Sequence, residues 1–398
     1  MNIITRLFKR NFTWCKPVQC DVIQFGGDSV TGLAALSDEF RMGTMPSLGE
    51  VVNLRVVVRG LRRRNWGRWG YYRQFLNDAR AKAVVVWQDT LVEGYLLADR
   101  ASIPVFIIQN GIRHDLSPTS GKGFLTSLRT IRNLRPSMTR YFALGPPAAE
   151  LLCPLVDGEF VCSGGFRLNE YTTTRNHHDQ QPAHKRRVGL IVSFPNRLEV
   201  PSQSLRGNTA TFMRLADRDI SFSDFFSIDG TVAEALAKVA RECAWELSII
   251  GKRSEAILET DYFSILPGCK DVPILSHAKG LGYTIAEGFD ALVTIDSTLG
   301  YEMLALGKRV GFVSNRLNHA GIHSLEMSFG YPIQLPDDGP FWTSAITSRG
   351  IEDFLRRFLS LSDEEWSLAH STYASQVTSC DPGNSLLRQA LREKLALS

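Results

Sequence analysis

The chain has 398 residues, too many for one ordinary domain and suited to two α/β domains of about 150–200 residues each. Its hydrophobic fraction of 44% and charged fraction of 22% fit a packed globular protein, and a net charge of +4 gives no reason to expect bulk nucleic-acid binding. Seven dispersed cysteines without a CxxC pair fit a reducing compartment, and no stretch approaches the roughly 18–20 apolar residues that span a bilayer.

Two stretches near the N-terminus combine basic and aromatic residues. Residues 1–14 (MNIITRLFKRNFTW) lack the apolar run of a signal peptide, and they fit either contact with a membrane surface or an arm folded onto the domain. Residues 59–73 (RGLRRRNWGRWGYYR) favour contact with a glycan acceptor or lipid headgroups, with a solvated helix face as the competing interpretation. Without an RRM, KH or OB signature, no nucleic-acid partner is expected. The expected location is cytoplasmic, including the cytoplasmic face of the inner membrane.

Strands and helices alternate along the first half. Apolar runs predict strands at 51–58, 83–87 and 104–109, and a strand at 160–165 closes the domain. Residues 91–100 have helical spacing. The segment from 83 to 109 is therefore a β-α-β unit, whose two strands pair in parallel.

A polar stretch separates the two halves. Residues 171–187 (YTTTRNHHDQQPAHKRR) contain almost no apolar side chain, and His177, His178 and His184 lie there without a framing strand or helix. We interpret the stretch as a solvated linker and not as a metal site. It divides the chain into an N-terminal domain, residues 1–170, and a C-terminal domain, residues 188–398, that ends in helices.

The second half repeats the alternation of strands and helices. Strands are predicted from Val188 and at 247–250, 291–295 and 310–313, with helices at 234–243 and 301–306. Residues 211–215 also look helical. The triplet Asp217-Arg218-Asp219 follows them and not a buried strand, so it is discounted as a metal-binding DxD motif. The predicted fold class is α/β, with two Rossmann-type domains that face a central cleft.

The end of the strand at 291–295 carries a candidate anion site. Ser297 and Thr298 begin the next helix, where hydroxyls and backbone N–H groups can hold a phosphate or ribose, and Glu302 can accept hydrogen bonds from ribose hydroxyls. An ordinary helix cap would use the same residue types. His277 and Lys279, two apart on an extended segment, project to one side and can meet a phosphate together.

These motifs resemble those of a known family. Residues 87–89 (WQD), 109–113 (QNGIR), 296–302 (DSTLGYE) and Gly307-Lys308 resemble bacterial surface-carbohydrate biosynthesis proteins. With the His-x-Lys and Ser-Thr elements, the chain is similar to the retaining β-Kdo transferases of the WbbB type, glycosyltransferase family 99, over about residues 87–314.

The resemblance implies a GT-B fold and a transferase activity. The C-terminal domain would hold CMP-β-Kdo as the donor. The N-terminal domain would hold the acceptor, a lipid-carried O-antigen or capsular glycan. Further transferase domains can accompany such a module.

Kdo bears a carboxylate beside its anomeric carbon, so its site needs cationic or N–H donors. The candidates for this contact are Arg113, Arg167, Arg253 and Ser193. Each arginine could equally be structural.

Retention by double displacement requires a carboxylate nucleophile and a group for proton transfer. The resemblance implies an Asp near residues 223–230 (SDFFSIDG). Asp229, predicted at a loop-to-helix junction before a helix that starts near Thr231, is the first choice; a helix cap is the alternative role, and Asp224 is the reserve. Glu159 and Asp89 are the candidates for the base that deprotonates the acceptor.

No cofactor and no metal are expected, because a CMP-sugar has a single phosphate and less need of a bridging ion. Three alternatives stay open. The chain could be an inverting GT-B transferase that uses CMP-sialic acid or a UDP-sugar, a CDP-glycerol-type phosphotransferase, or a non-catalytic scaffold of polysaccharide assembly.

Overall fold

The computed structural model describes residues 11–26, 34–48, 50–113, 123–175, 185–192, 207, 209–215, 218–251, 263–264, 266, 268–275, 282–322 and 324–396. Two six-stranded parallel sheets organise these residues into two Rossmann-type halves. The histidines of the polar stretch, at positions 177, 178 and 184, lie outside the described residues.

The described residues of the first half form eight strands: β1 (Asn11–Thr13), β2 (Val22–Phe25), β3 (Met42–Met45), β4 (Val51–Asn53), β5 (Ala83–Val86), β6 (Val105–Ile108), β7 (Ser137–Ala143) and β8 (Asp157–Cys162). Six of them form a parallel sheet in the order β3-β2-β5-β6-β7-β8. Strands β1 and β4 form a separate parallel pair. The predicted β-α-β unit is confirmed, because β5 and β6 pair in parallel.

In the described part of this half, six helices accompany the strands: α1 (Leu54–Arg62), α2 (Gly67–Ala79), α3 (Gly94–Ala101), α4 (Phe124–Thr130), α5 (Pro146–Leu152) and α6 (Phe166–Thr174). Short 3-10 turns lie at Ala34–Asp38 and Arg132–Leu134. The predicted strand at 51–58 is wrong beyond Asn53, because the Asn53 side chain accepts a hydrogen bond from the Arg55 amide and caps α1. Residues 171–174, predicted as linker, are the last turn of α6.

The part of the second half that the structure describes also forms eight strands: β9 (Arg187–Val192), β10 (Thr211–Leu215), β11 (Arg218–Ser221), β12 (Glu246–Ile250), β13 (Ile274–Leu275), β14 (Ala291–Ile295), β15 (Arg309–Val313) and β16 (Trp342–Thr343). Six of them form a parallel sheet in the order β13-β12-β9-β14-β15-β16. Strands β10 and β11 form an antiparallel hairpin. The helix predicted at 211–215 is therefore wrong, since this segment pairs with β11 and Phe212 packs among the aromatic rings of Phe222 and Phe226.

Within the described ranges of the second half there are seven helices: α7 (Phe222–Glu242), α8 (Gly282–Glu287), α9 (Thr298–Ala305), α10 (Arg316–His319), α11 (Ser348–Ser360), α12 (Asp363–Val377) and α13 (Ser385–Ala396), with a 3-10 turn at Pro382–Asn384. In the part of the chain that the structure describes, no helix is long and apolar enough to cross a membrane.

The chain returns to the first half after α12. Gly164 and Cys380 form an antiparallel bridge, and the Asp381 amide donates a hydrogen bond of 3.0 Å to the Asn169 side chain. Leu387 and Leu391 of α13 are buried in a core cluster with first-sheet residues such as Val85. Helix α13, which the sequence analysis assigned to the C-terminal domain, therefore packs on the first sheet. Its apolar face is buried there.

The segment that follows α12 crosses very close to the loop after β8. Gly164 has a φ of +83°, and a Cβ atom there would lie 2.2 Å from the carbonyl oxygen of Ser379. Gly307 has nearly the same φ, +81°, but a Cβ there would meet no atom within 4 Å. The two glycines share a left-handed backbone and differ in the space beside it.

We expect Gly307→Ala to lower the free energy of unfolding by about 1 kcal/mol, the strain of a left-handed alanine. Gly164→Ala should cost about 3 kcal/mol or more, because the same strain is joined by a collision with backbone. Urea denaturation followed by tryptophan fluorescence measures both values. Equal losses in the two variants would contradict the close crossing.

Candidate active site

A cleft lies between the carboxyl ends of the two sheets. It encloses about 940 Å³, a volume that includes space open to solvent. The first half contributes Gln109, Ile112, Arg113, Leu144, Gly145, Pro147 and Ala148 to its walls. The second half contributes Asp296, Thr298, Tyr301, Glu326, Met327, Ser328, Gly330, Tyr331 and Val377.

Asp89 and Arg113 form a buried ion pair at the first-half wall. The two Asp89 oxygens accept hydrogen bonds from Nε and Nη2 of Arg113, the first at 2.6 Å, and the Tyr141 hydroxyl donates to Asp89 Oδ2 at 2.9 Å. The Asn110 amide donates to Asp89 Oδ1 at 3.2 Å. Burial lowers the pKa of Arg113, but the charge and hydrogen bonds of Asp89 outweigh it and raise the pKa overall. Because these donors already occupy the Asp89 carboxylate, the geometry favours a role for Asp89 in positioning Arg113. It is less suited to the predicted role as the base.

Gln109 fixes the loop that carries Arg113. Its side-chain amide donates a hydrogen bond of 2.8 Å to the Gly111 carbonyl, and its carbonyl oxygen accepts one of 2.7 Å from the Leu144 amide. The Ile112 amide in turn donates to the Thr298 hydroxyl at 3.3 Å. The loop therefore forms a direct link between the two halves at the cleft.

Asp296 lies at the floor of the cleft, between β14 and α9. Its φ is 49°, a left-handed conformation that Asp tolerates better than most residues. Its Oδ2 is buried without a hydrogen bond from the described residues, and Arg316 Nη1 lies 3.7 Å away. Burial raises the pKa of Asp296 to about 7, Arg316 opposes the rise, and Asp229 adds to it. A carboxyl that titrates near neutrality inside a cleft is suited to covalent or proton-transfer chemistry.

Asp229 occupies the interior of α7, not a loop-to-helix junction. Ser221 and Asp224 form a capping box that starts this helix at Phe222, so the predicted junction near Thr231 is wrong. Both Asp229 oxygens accept hydrogen bonds from Arg316, at 2.9 and 2.7 Å, and the side chain is fully buried. Burial raises the pKa of Asp229, and Arg316 opposes the rise. The carboxylate is turned to Arg316 and does not line the cleft, and the reserve candidate Asp224 is a cap.

The predicted nucleotide-binding residues of α9 lie together. Ser297 is the N-cap residue, yet its side chain makes no capping hydrogen bond, and Thr298 lines the cleft beside it. Glu302 is buried one turn further on, where it accepts a hydrogen bond of 3.0 Å from the Tyr283 hydroxyl. Burial raises the pKa of Glu302 to about 7, and Tyr283 and Arg167 oppose the rise. A Cβ on Gly165 would lie 2.3 Å from Glu302 Oε1, so the first half packs directly against this carboxyl.

The other predicted residues fall in different places. Arg167 is exposed at the start of α6, 5.7 Å from the Trp87 ring, and among the described residues it has no carboxylate partner at salt-bridge distance. Glu159 lies on the edge strand β8 in a 2.6 Å ion pair with Arg140 and does not line the cleft, because it precedes the strand's carboxyl end. Outside the described residues are Ser193, Arg253, His277 and Lys279. The described ranges bring no three His, Cys, Asp or Glu close enough to hold a metal ion.

Sequence reasoning missed several residues of the cleft. Asp296 belonged to a recognised motif, and its place at a strand end before a helix was the signal for a site residue. The segment 326–331, which contributes Glu326 and Tyr331, gave no pattern that could have placed it. It reaches the cleft only because it follows α10 and packs against Tyr301, whose hydroxyl accepts from the Gly330 amide at 3.3 Å.

Comparison with known proteins places this chain in a family. The sequence family described as "putative O-antigen biosynthesis protein" matches residues 106–395, so the chain belongs to that family of surface-carbohydrate biosynthesis proteins. No curated protein matches the chain in sequence.

Solved structures agree on the fold. The wall teichoic acid polymerase TagF, in its H444N variant, is similar at a TM-score of 0.54 and 11% identity over 96% of this chain and 90% of that one. A UDP-bound MnaA from S. aureus matches at 0.52 and 12% identity, with 94% of each chain covered. A UDP-GlcNAc 2-epimerase from Neisseria meningitidis, bound to UDP-GlcNAc, matches at 0.51 and 11% identity over 98% of this chain and all of that one. The chain has the GT-B fold that the sequence predicts.

Removing the Asp229 carboxylate should act first on stability. Asp229→Ala removes the carboxylate that accepts two hydrogen bonds from the buried Arg316, so we expect the free energy of unfolding to fall by about 3–5 kcal/mol. Asp224→Ala, on the same helix, removes only a cap and should cost about 1 kcal/mol. Guanidinium denaturation measures both variants, and a fully stable Asp229→Ala protein would contradict the buried pair.

Proposed function

We propose that this chain transfers a sugar from a nucleotide-linked donor to a growing O-antigen glycan. The observation that carries the proposal is the meeting of Asp296, the start of α9 and the loop 109–113 in one cleft between two Rossmann-type halves. A reactive carboxyl, an anion-binding helix start and an opposing wall are the parts that glycosyl transfer needs. Membership of the O-antigen family supplies the class of product.

The donor phosphate would bind at the start of α9. Backbone N–H groups at a helix N-terminus and the Ser297 hydroxyl favour an anion there. His277 and Lys279 would add a hydrogen bond and a positive charge on the leaving phosphate. Glu302 would face the ribose side of the same helix. No metal is required in this scheme, because these donors carry the charge of a single phosphate.

We propose CMP-β-Kdo as the donor and retention as the stereochemical course. The family resemblance of the QNGIR and DSTLGYE motifs supports this choice, and so does Arg167. Its guanidinium is exposed, and its positive charge acts on Glu302, where it opposes the rise in pKa that burial causes. Arg113 is less suited to the Kdo carboxylate, since Asp89 already neutralises its charge.

Asp296 would act as the nucleophile in a double displacement. Its carboxylate attacks the anomeric carbon while the bond to the CMP oxygen breaks, and CMP leaves with the bonding electrons. An acceptor hydroxyl then attacks the same carbon from the other face and displaces the carboxylate. The hydroxyl proton passes to Glu326, the second carboxyl of the cleft. This scheme replaces Asp229, Glu159 and Asp89 in the roles that the sequence suggested for them.

A UDP-sugar is the second candidate donor. MnaA and the Neisseria epimerase, which share the fold, are described with UDP and UDP-GlcNAc. A single displacement from such a donor would use Asp296 as the base and form no enzyme-bound sugar.

The deciding experiment measures nucleotide release from a donor panel by the purified protein. The panel contains CMP-Kdo made in situ, CMP-sialic acid, UDP-hexoses and CDP-glycerol, with a soluble O-antigen fragment as acceptor and with or without EDTA. We expect CMP from CMP-Kdo alone, at a rate that EDTA does not change. Turnover of another donor would replace the Kdo assignment, and nucleotide binding without any turnover would favour the scaffold alternative.

Two matched variants separate the carboxyl roles. Incubated with donor but without acceptor, Asp296→Asn should form no sugar adduct. With acceptor present, its rate of sugar transfer should fall about 10³-fold, since the Asn amide can neither attack the anomeric carbon nor accept a proton. Glu326→Gln should still form the adduct but resolve it slowly. Intact-protein mass spectrometry detects the adduct. If Asp296→Asn still carries it, the nucleophile lies elsewhere.

The rate should also depend on pH through Asp296. The ionised carboxylate is the active form, and its pKa is raised to about 7, so the rate should rise with pH through about 7, where half of the carboxyl is ionised, and level off at higher pH. Initial rates across this range test the expectation. A rate that falls with pH over this interval would contradict the carboxylate role.

A further inference from the structure

Positive charge is concentrated on one side of the first half. Residues 11–20 and 51–77 carry eight Lys or Arg and no Asp or Glu, whereas the other positions of the chain carry 37 basic and 41 acidic residues. These two segments are adjacent in space, because β1 pairs with β4 and the latter leads into α1. The mild overall charge of the chain therefore conceals a strongly basic region.

Most of these cations are uncompensated. Arg59 pairs with Asp78 at 3.2 Å, and Arg68 pairs with Glu93 at 2.8 Å. Within the described ranges, no carboxylate lies at salt-bridge distance from the exposed side chains of Lys16, Arg62, Arg63, Arg64 and Arg73. The region thus presents a net positive field to whatever approaches it.

Large apolar side chains are exposed among the same cations. Leu54 and Leu61, seven residues apart on one stripe of α1, are 38% and 44% exposed. Trp66, in the loop before α2, is 68% exposed. Trp14 is 65% exposed and lies beside the start of α1, since Thr13 pairs with Asn53 and the Asn53 side chain donates to the Cys15 carbonyl at 2.9 Å. We call these apolar residues and the five uncompensated cations the basic–aromatic face.

The loop of this face has a defined shape. The Asn65 amide donates to the Gly60 carbonyl at 2.8 Å, and a Cβ on Gly70 would lie 2.4 Å from the Asn65 backbone. Helices α1 and α2 therefore hold the loop closely on both sides. The backbone that carries the side chains of Arg63, Arg64 and Trp66 is thus held in place.

The face lies next to the cleft edge of the first sheet. Arg68, in the first turn of α2, pairs with Glu93, and the Tyr72 hydroxyl donates to Glu93 at 2.8 Å. Glu93 follows the segment in which Asp89 holds Arg113 at the cleft wall. A surface bound to the basic–aromatic face would thus reach the side of the first half on which the cleft opens.

We propose that the basic–aromatic face docks this protein onto an anionic phospholipid bilayer. Uncompensated arginines meet the negative headgroups, while Trp14, Trp66 and the leucine stripe enter the interfacial layer. A nucleic acid would use the charges and the aromatic rings but would leave Leu54 and Leu61 without a partner. The inference that docking brings a lipid-carried acceptor to the cleft rests on the proposed function; the docking itself does not.

Flotation of the full chain with vesicles tests the proposal. The protein should float with phosphatidylcholine vesicles that contain phosphatidylglycerol and stay behind with phosphatidylcholine alone. Binding should fall steeply in about 1 M salt, where the Debye length is only about 3 Å. Arg62→Ser/Arg63→Ser/Arg64→Ser should lower the partition coefficient about 100-fold, at about fivefold for each arginine.

A matched control removes the same charge elsewhere. Lys270→Ser/Arg349→Ser/Arg357→Ser changes three exposed cations of the second half and should alter partitioning by less than about threefold. Trp14→Ser/Trp66→Ser should weaken binding while leaving its salt dependence in place. Thermal melts confirm that each variant is folded.

Several outcomes would overturn the proposal. They are equal losses in the two triple variants, binding to neutral vesicles that matches binding to anionic ones, or tighter capture of a single-stranded oligonucleotide than of anionic vesicles. Failure of the proposed function is distinguishable, because it would appear as absence of donor turnover with vesicle binding intact. If both hold, the arginine triple variant keeps its rate on a soluble acceptor fragment and loses it on an acceptor embedded in vesicles.

Discussion

The ion pair between Asp89 and Arg113 sets the geometry on which the cleft depends. Asp89 follows β5, Arg113 follows β6, and the Tyr141 hydroxyl from β7 completes the contact, so three neighbouring strands fix one guanidinium. A charge this deeply buried is tolerated only because each partner satisfies the other. The described start of the loop after β6, residues 109–113, is thereby held in place, and its Ile112 amide donates a hydrogen bond to Thr298 of the opposite half.

A second guanidinium, that of Arg316, contacts two carboxyls at the floor of the cleft unequally. Arg316 gives two hydrogen bonds to Asp229 and only a 3.7 Å contact to Asp296. Asp229 is thereby committed to structure, while Asp296 keeps an oxygen without a donor and a pKa raised to about 7. Two carboxyls around one cation thus acquire different properties from their surroundings, which is how one site can separate a structural from a reactive role.

The distribution of charge complements the architecture of the halves. The cleft is bounded by paired or buried ionic groups, whereas the basic–aromatic face carries arginines with no carboxylate partner among the described residues. The contact from Arg68 and Tyr72 to Glu93 places that surface and the Asp89 segment on one continuous part of the fold.

The local sequence pattern was sufficient to predict the strands and helices whose residues are uniformly buried. Strands β5, β6, β14 and β15, the α/β class and the helix start at Ser297 all follow from apolar runs and turn residues read along the chain. Tertiary structure decided what local pattern leaves ambiguous. The β-branched run after Asn53 is helical because a cap and a buried face outweigh strand propensity, and residues 211–215 form a strand because β11 pairs with them. Asp229 became a structural residue and Asp296 a candidate nucleophile through Arg316, which lies 87 positions from one and 20 from the other. Which partner a carboxyl meets across such separations is set by packing, and no spacing along the chain encodes it.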